Sequence, residues 1–594
     1  MNSDGANIVL MAWDMLHGNL VPHNWWMSDV SFYTTELPEY MLIDAIRGLS
    51  PDVTHIAAAL TYTLAVVLAA LLAKGRANSR EGLARVLLSG GIMLAPQLGA
   101  GTFVLLLSVG HIGTAVPALA VWLLLDLSPR RWYIPVIAGV MLAWAMIADS
   151  LVLVVAIAPL VIVGVSRAVP LLATGRPGSG TAPRLRSAWY ELSLAAAAAA
   201  AWGASWLAEK AIHALGGYTL HAVPFSLASP AHLGVHAATT GDSLLALFGA
   251  NYGGLHSGVA VAFAVLHLAG LALVAWALAR VLRRYAKAGL VEQLLTVAII
   301  INLAMYLFSS FSSGVLNGRE IALILPFGAA LAGRSLGPVL AQARPASRAA
   351  RLTLVLLAVL AGYVACLGYE LAQPAPPPAN ARLASWLQDH HLDHGLSGYW
   401  QASVVTIDSG GKVTIRAVTD VGGGIVPYRW EAKSTWYSPG RQYANFVVLQ
   451  NQRGFFNYWY PPSQVGATFG APARTYQLGP YTVLVWTHNL MPALHRWAIR
   501  TGAAVTAYRF GPTMPSGHGL LPLAPGALLW GTLLRRARLR YDAVRGYKIW
   551  VRYRATRMTK GAAHVAKAAS RRRGTPNRTS TANRYTSTNG RRSA

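Results

Sequence analysis

Ten stretches of this 594-residue chain are too long and too evenly apolar to be the faces of helices in a soluble protein: residues 52–73, 86–108, 113–127, 132–148, 150–166, 188–207, 258–279, 290–310, 321–334 and 351–369. A helix on a soluble core turns a polar face to water every 3.6 residues, whereas one in hydrocarbon has none. About 20 mostly apolar residues cover the roughly 30 Å of a bilayer interior. With 54% hydrophobic and only 12% charged residues, the chain has the composition to match. The runs predict an all-α polytopic membrane domain of about 10 spans over residues 52–370. Pro96, Gly99, Gly101 and Gly110 break the stretch from 86 to 127 into short helices or a re-entrant turn.

Cations sort the loops into two sets. Lys74, Arg76, Arg80 and Arg85, then Arg130 and Arg131, then Arg167, Arg176, Arg184 and Arg186 fall in alternate loops. Arg280, Arg283, Arg284 and Lys287, followed by Arg334, Arg344, Arg348 and Arg351, continue the alternation. The intervening segments up to Glu370 hold only Arg47, Lys210 and Arg319. Cation-rich loops stay on the cytoplasmic side. The outward face then receives residues 1–51, a segment near 208–257, and the chain beyond Gln373.

The net charge of +28 suggests nucleic acid until it is mapped. Between Thr487 and Ala594 stand 21 Lys or Arg against the single acid Asp542, so this stretch carries +20 of the total. Such a block reads as a solvated, disordered basic tail, 489–594, able to touch anionic lipid headgroups; no nucleic-acid partner is expected. Within it, 517–534 is apolar but carries Pro522 and Pro525 and precedes Arg535, Arg536, Arg538 and Arg540, the pattern of a possible extra span. The lone Cys366 excludes disulfides and a thiolate metal cage.

After the last run, Pro374, Pro376, Pro377 and Pro378 make residues 371–378 a stiff linker. The composition then becomes that of a soluble α/β domain, 379–488. Leu383, Trp386 and Leu387 share a helical face. Val404, Val405 and Ile407, followed by Asp408-Ser409-Gly410-Gly411 and then Val413 and Ile415, read as a hairpin; 446–449 and 481–486 read as strands.

Acids concentrate in the first outward segment, an acidic loop region over residues 1–51, where Asp4, Asp14, Asp29, Glu36, Glu39 and Asp44 face one cation, Arg47. With His17-Gly18-Asn19 and Trp25-Trp26 beside them, they suit a sugar-handling surface. Asp149 interrupts apolar sequence. At mid-membrane it would cost about 2.5–3.5 kcal/mol, so an outer turn is the cheaper placement. Arg319 and Glu320 open the ninth run at its outer end, where an arginine can grip a phosphate with two parallel hydrogen bonds. His221, His232, His236 and His256, and the group His390, His391 and His394, lack the spacing of a metal site; no metal or other cofactor is expected. Trp400, Trp430, Trp436, Tyr437, Trp459 and Tyr460 are candidates for core packing, membrane contact or sugar stacking.

The stretch Ser28-Asp29-Val30-Ser31-Phe32-Tyr33-Thr34-Thr35-Glu36-Leu37-Pro38, together with the topology and the outward C-terminal domain, resembles the GT-C class of membrane glycosyltransferases, actinobacterial members in particular. The resemblance covers residues 4–488. It implies a catalytic aspartate in the first external loop, matched by Asp4 with Asp29 as the alternative, and a polyprenyl-phosphate sugar as donor. That class places a membrane span ahead of this loop, but only three residues precede Asp4 here, which implies either a start upstream of Met1 or a truncated chain.

Independently of any family, attack by an acceptor hydroxyl on an anomeric carbon needs a base, and a positioned carboxylate supplies about 10² to 10⁴ in rate. The expectation is a glycosyltransferase moving a sugar from a polyprenyl-phosphate donor to a cell-envelope glycan, lipid or protein acceptor, inverting in stereochemistry. Asp4 or Asp29 would be its base, and Arg319, Glu320, Asp149, Glu36 and His17 would contact donor phosphate or acceptor. The rival readings are a transporter or lipid flippase, and an inactive glycan-binding scaffold.

Overall fold

A computed structural model describes residues 1–94, 104–106, 109–173, 181–221, 225–251, 258–342, 347–372, 378, 380–451 and 462–502. The expectations for Pro96, Gly99, Gly101 and His256, for linker residues 374–377, for Trp459 and Tyr460, for the span near 517–534 and for the tail beyond 502 lie outside them.

The chain is mostly helical, with a small sheet near its C-terminal end. Six helices are long and apolar enough to cross a membrane: Asp52–Lys74, Leu153–Ala173, Val261–Leu282, Leu290–Leu307, Ile324–Ala341 and Arg348–Tyr369. They mark a membrane protein. Shorter apolar helices run over His111–Leu127 and Tyr133–Ala148, and the helices Ser79–Leu94 and Thr181–Ala214 fall on two further apolar runs.

Ile324–Ala341 lies at the centre of the bundle, buried at most of its positions. Small residues let its neighbours approach the backbone, the device by which helices pack in lipid. A Cβ on Gly333 would stand 2.6 Å from the Arg85 carbonyl oxygen, and one on Gly337 2.4 Å from Arg85 Cγ. Just past the middle of this helix Arg334 holds Asp126 with two hydrogen bonds, 2.9 and 3.0 Å, and donates to the Leu72 carbonyl at 2.7 Å. The C-terminal ends of Asp52–Lys74 and Ala115–Leu127 therefore meet against Ile324–Ala341, at the end of the bundle that carries Lys74, Arg76 and Arg130. The N-terminal part of Asp52–Lys74 packs at the other end against the helices of residues 1–51.

The sheet uses six strands: β2 (His394–Ser397), β3 (Thr414–Val421), β4 (Gly424–Pro427), β6 (Phe446–Gln450), β7 (Arg474–Leu478) and β8 (Tyr481–Val485), in the order β4-β3-β2-β6-β8-β7. β2 pairs in parallel with both β3 and β6; the other pairings are antiparallel. The expected hairpin over 404–415 is not there. Tyr399–Asp408 is a helix, because parallel β2 and β3 need a crossover and not a tight turn. That helix is buried on two sides: Ala402 and Val405 pack on the sheet, and Val404 and Ile407 on the N-terminal segment. Double burial erased the helical period, leaving a run of β-branched residues that reads as a strand.

Residues 1–51 are packed structure and not a free loop. The helix Ser3–Leu16 is buried over most of its length. β1 (Trp25–Trp26) pairs antiparallel with β5 (Ala432–Lys433). Ser3 Oγ donates to the Tyr399 carbonyl at 2.5 Å, and Ser403 donates to Asn7. The N-terminal segment is thus held between the membrane bundle and the sheet.

Candidate functional site

Three acid-containing groups converge where these layers meet. The deepest is built on His111, in the single helical turn His111–Thr114. Its Nδ1 lies 2.7 Å from Asp149 Oδ2 and its Nε2 3.1 Å from Glu320 Oε2. A neutral imidazole has one N–H, so facing a carboxylate on both sides is satisfied only when both nitrogens are protonated. Asp149 stands at the turn after Tyr133–Ala148, as expected, and also accepts from Thr114 and from the Leu151 amide at 2.9 Å. Burial pushes the Asp149 and Glu320 carboxyls up, but the His111 charge and hydrogen bonds outweigh it and hold both below their ordinary values.

Arg319 precedes Glu320 in the turn Val315–Ile321, its Nε 3.6 Å from Glu320 Oε1. Because His111 already engages Glu320, this partner neutralises Arg319 only in part. The carboxylates of Glu320, Asp29, Asp4 and Glu431 all act on the Arg319 guanidinium and, against burial, keep its pKa raised. Its side chain stays 37% exposed, so a charged head remains within reach of solvent.

Asp29 faces that guanidinium from a loop tied down on every side. Met27 N–H donates to the Thr219 carbonyl at 2.9 Å, His221 N–H to the Ser28 carbonyl at 3.0 Å, and Ser31 and Phe32 amides to the Ala148 carbonyl at 3.0 and 3.1 Å. Phe32 takes φ +52°, a left-handed conformation that costs a non-glycine residue about 1–2 kcal/mol. Asp29 itself is half-buried; its carboxylate accepts from its own backbone N–H and, among the described residues, takes no hydrogen bond from another side chain. Burial raises its pKa, with Arg319 and His111 opposing and Glu320 adding to the rise.

The third group joins the first helix to the sheet. Tyr399 Oη lies 2.6 Å from Asp4 Oδ1 and 2.7 Å from Glu431 Oε2. A phenol has one proton to donate, so one of the two carboxyls must be protonated and donate to the phenol oxygen. Both acids are raised by burial, Glu431 the more strongly because the Asp4 charge adds to it, while hydrogen bonds from Tyr399 and Asn2 and the Arg319 charge oppose the rise at Asp4. Glu431 sits at φ +47°, and the Ser28 side chain also reaches it, linking this group to the Asp29 loop.

Of the residues expected from sequence, Asp4, Asp29, Arg319, Glu320 and Asp149 come together. Glu36 borders them: buried, bonded by Thr35 and repelled by Asp149, its carboxyl is pushed up to about 7 chiefly by burial. A Cβ on Gly113 would lie 1.8 Å from Glu36 Oε1, so this approach requires glycine. His17 is not at the site. It is exposed, meets the Trp13 ring at a tilt of 44° with centroids 4.6 Å apart and bonds the Trp13 carbonyl at 2.7 Å, closing the end of its own helix. His111, Tyr399 and Glu431 were missed. Their neighbours in sequence carry no acid or motif, and only the fold brings them near the others. No group of His, Cys, Asp and Glu able to hold a metal is present among the described residues.

The site this defines is a half-buried carboxylate and an arginine, backed by proton-sharing acids, at one end of a membrane bundle. No protein-family model, curated protein or solved structure matches the chain.

Proposed function

We propose that the chain is a membrane glycosyltransferase that moves a sugar from a polyprenyl-phosphate donor to an acceptor at the cell envelope, with the cation-rich loops cytoplasmic and the site and sheet outside. The observation that carries this reading is Asp29: a carboxylate that no other side chain among the described residues hydrogen-bonds, close enough to Arg319 for the guanidinium charge to act on it. Asp4 is committed to Tyr399 and Asn2, which leaves Asp29 the better base.

In this mechanism Arg319 holds the donor phosphate. The acceptor oxygen forms its bond to the anomeric carbon as Asp29 takes the hydroxyl proton, and the bond to the phosphate oxygen breaks with its electron pair leaving on polyprenyl phosphate. One displacement inverts the centre. The Asp149–His111–Glu320 chain fixes the backbone and charge around Arg319, and a protonated Glu431 offers a neutral donor beside Asp4.

The test is transfer from a panel of polyprenyl-phosphate sugars by purified protein, with donor binding measured separately. Asp29→Asn should lose about 10² or more in turnover while still binding donor. Arg319→Lys should weaken donor binding, because lysine keeps the charge without the paired hydrogen bonds. Wild-type turnover by Asp29→Asn on a working donor would remove the base assignment; movement of an unmodified lipid or solute across vesicles would replace the reading with transport.

A further inference from the structure

At the opposite end of the bundle, the helix ends and loops of the cation-rich face enclose a cavity of about 430 Å³. Its walls include Arg76, Asp126, Arg130, Arg167, Tyr190 and Leu290. Three arginines from three separate segments line one space, and the acids beside them neutralise their charge only in part. Asp126 is taken by Arg334. Glu191 engages Arg130 at 3.2 Å, leaving that arginine's side chain 60% exposed. Arg76 bonds only backbone carbonyls, those of Leu127 at 3.2 Å and Ser128 at 3.4 Å.

Arg167 is the built element. Gln293 accepts from its Nη1 at 2.8 Å and is itself fixed by a 2.8 Å bond from its amide to the Tyr285 carbonyl. The Arg167 Nε is buried without a hydrogen-bond partner. With Arg76, Arg130 and Arg167 in its walls against the single acid Asp126, which Arg334 already engages, the pocket suits an acceptor carrying negative charge. Leu125, Leu290 and Val291 give the pocket an apolar side beside its cations.

We propose that this cavity binds a phosphate anion, carried by an anionic phospholipid headgroup or by a free phosphate. Its volume falls in the range of small-ligand sites, and basic pockets between helices at a membrane surface are suited to headgroup phosphates. The proposal is independent of the chemistry at the other end of the bundle.

The full chain, purified in detergent, would be examined by native mass spectrometry with phosphatidylglycerol or phosphatidylcholine, and by thermal shift with inorganic phosphate. Wild type should retain phosphatidylglycerol in preference to phosphatidylcholine, and the pair Arg76→Gln with Arg130→Gln should weaken retention at least 10-fold. Arg167→Lys, which preserves charge and volume, should weaken it several-fold. A thermal shift with inorganic phosphate, lost in the same variants and unaccompanied by lipid preference, would support the site with free phosphate as its source. Equal loss in the pair Arg283→Gln with Arg284→Gln, at the same face but outside the cavity, would reduce the effect to surface charge and overturn the site. So would equal retention of both lipids and no phosphate shift in wild type.

Discussion

Lys433 donates to both carboxylate oxygens of Asp14, at 2.7 and 2.9 Å, across 419 residues of chain. With the β1–β5 pairing, this bond fastens the first helix to the sheet. Asp14 is partly buried, which pushes its pKa up, yet hydrogen bonds from Lys433, Trp25 and Asn19 bring it below the ordinary value. A double-mutant cycle of Asp14→Asn and Lys433→Met should show a coupling of roughly 1.5–3 kcal/mol at neutral pH. A lowered folded pKa gives stability that is present above the unfolded value and disappears as pH falls through the folded one. The coupling should therefore begin to fall below pH ~4, near the unfolded value, and vanish only once the pH lies below the lower, folded pKa. Thermal unfolding of the four proteins at both pH values checks this.

Asp44 pulls the other way. Both of its carboxylate oxygens are buried without a hydrogen-bond partner among the described residues, and burial raises its pKa to about 8. A raised folded pKa stabilises the fold below the unfolded value, and that contribution is lost as pH rises toward 8. The slope from this group is at most about 1.4 kcal/mol per pH unit. Asp44→Asn should raise the Tm at pH 8 and flatten its pH dependence from 4 to 8; an unchanged profile would mean that Asp44 finds a counter-charge.

Replacing His111 with Gln should destabilise the protein by about 3–5 kcal/mol, because two buried carboxylates would lose their shared cation. Adding Glu320→Gln should restore part of the loss by removing one of the stranded charges. The measurement is Tm for wild type and the two variants; no recovery in the double variant would show that the His111 ring acts by packing alone.

If Asp29 is the base, turnover should rise with pH through a value above the ordinary aspartate range, since only the ionised form accepts a proton and burial raises its pKa. Arg319 opposes that rise, so Arg319→Gln should move the acid limb of the pH–rate profile to higher pH as well as lowering the plateau. A limb that stays in place would separate the two residues.

The helices of the bundle were legible because hydrophobic length is a local signal, and so were the acids of 1–51 and the pair Arg319-Glu320, whose charges stand out against apolar sequence. The crossover helix Tyr399–Asp408 was not, since burial on both faces removed the polar side that a helical period needs. His111, Tyr399 and Glu431 were invisible for a related reason. Each draws its character from a residue between 32 and 395 positions away, and nothing in the flanking sequence encodes that distance.

Because Asp4 meets its phenol only when Tyr399 arrives, and Tyr399 meets Glu431 only on the far side of β3 and β4, ribosomal order matters to this molecule. The first helix is synthesised hundreds of residues before the surface that covers it. Until then its apolar residues and acids wait without their partners, while the apolar helices of the bundle are being made. A nascent chain halted before residue 431 would carry Asp29 and Arg319 but not the closed acid pair, so assembly of the site coincides with completion of the fold and cannot precede it.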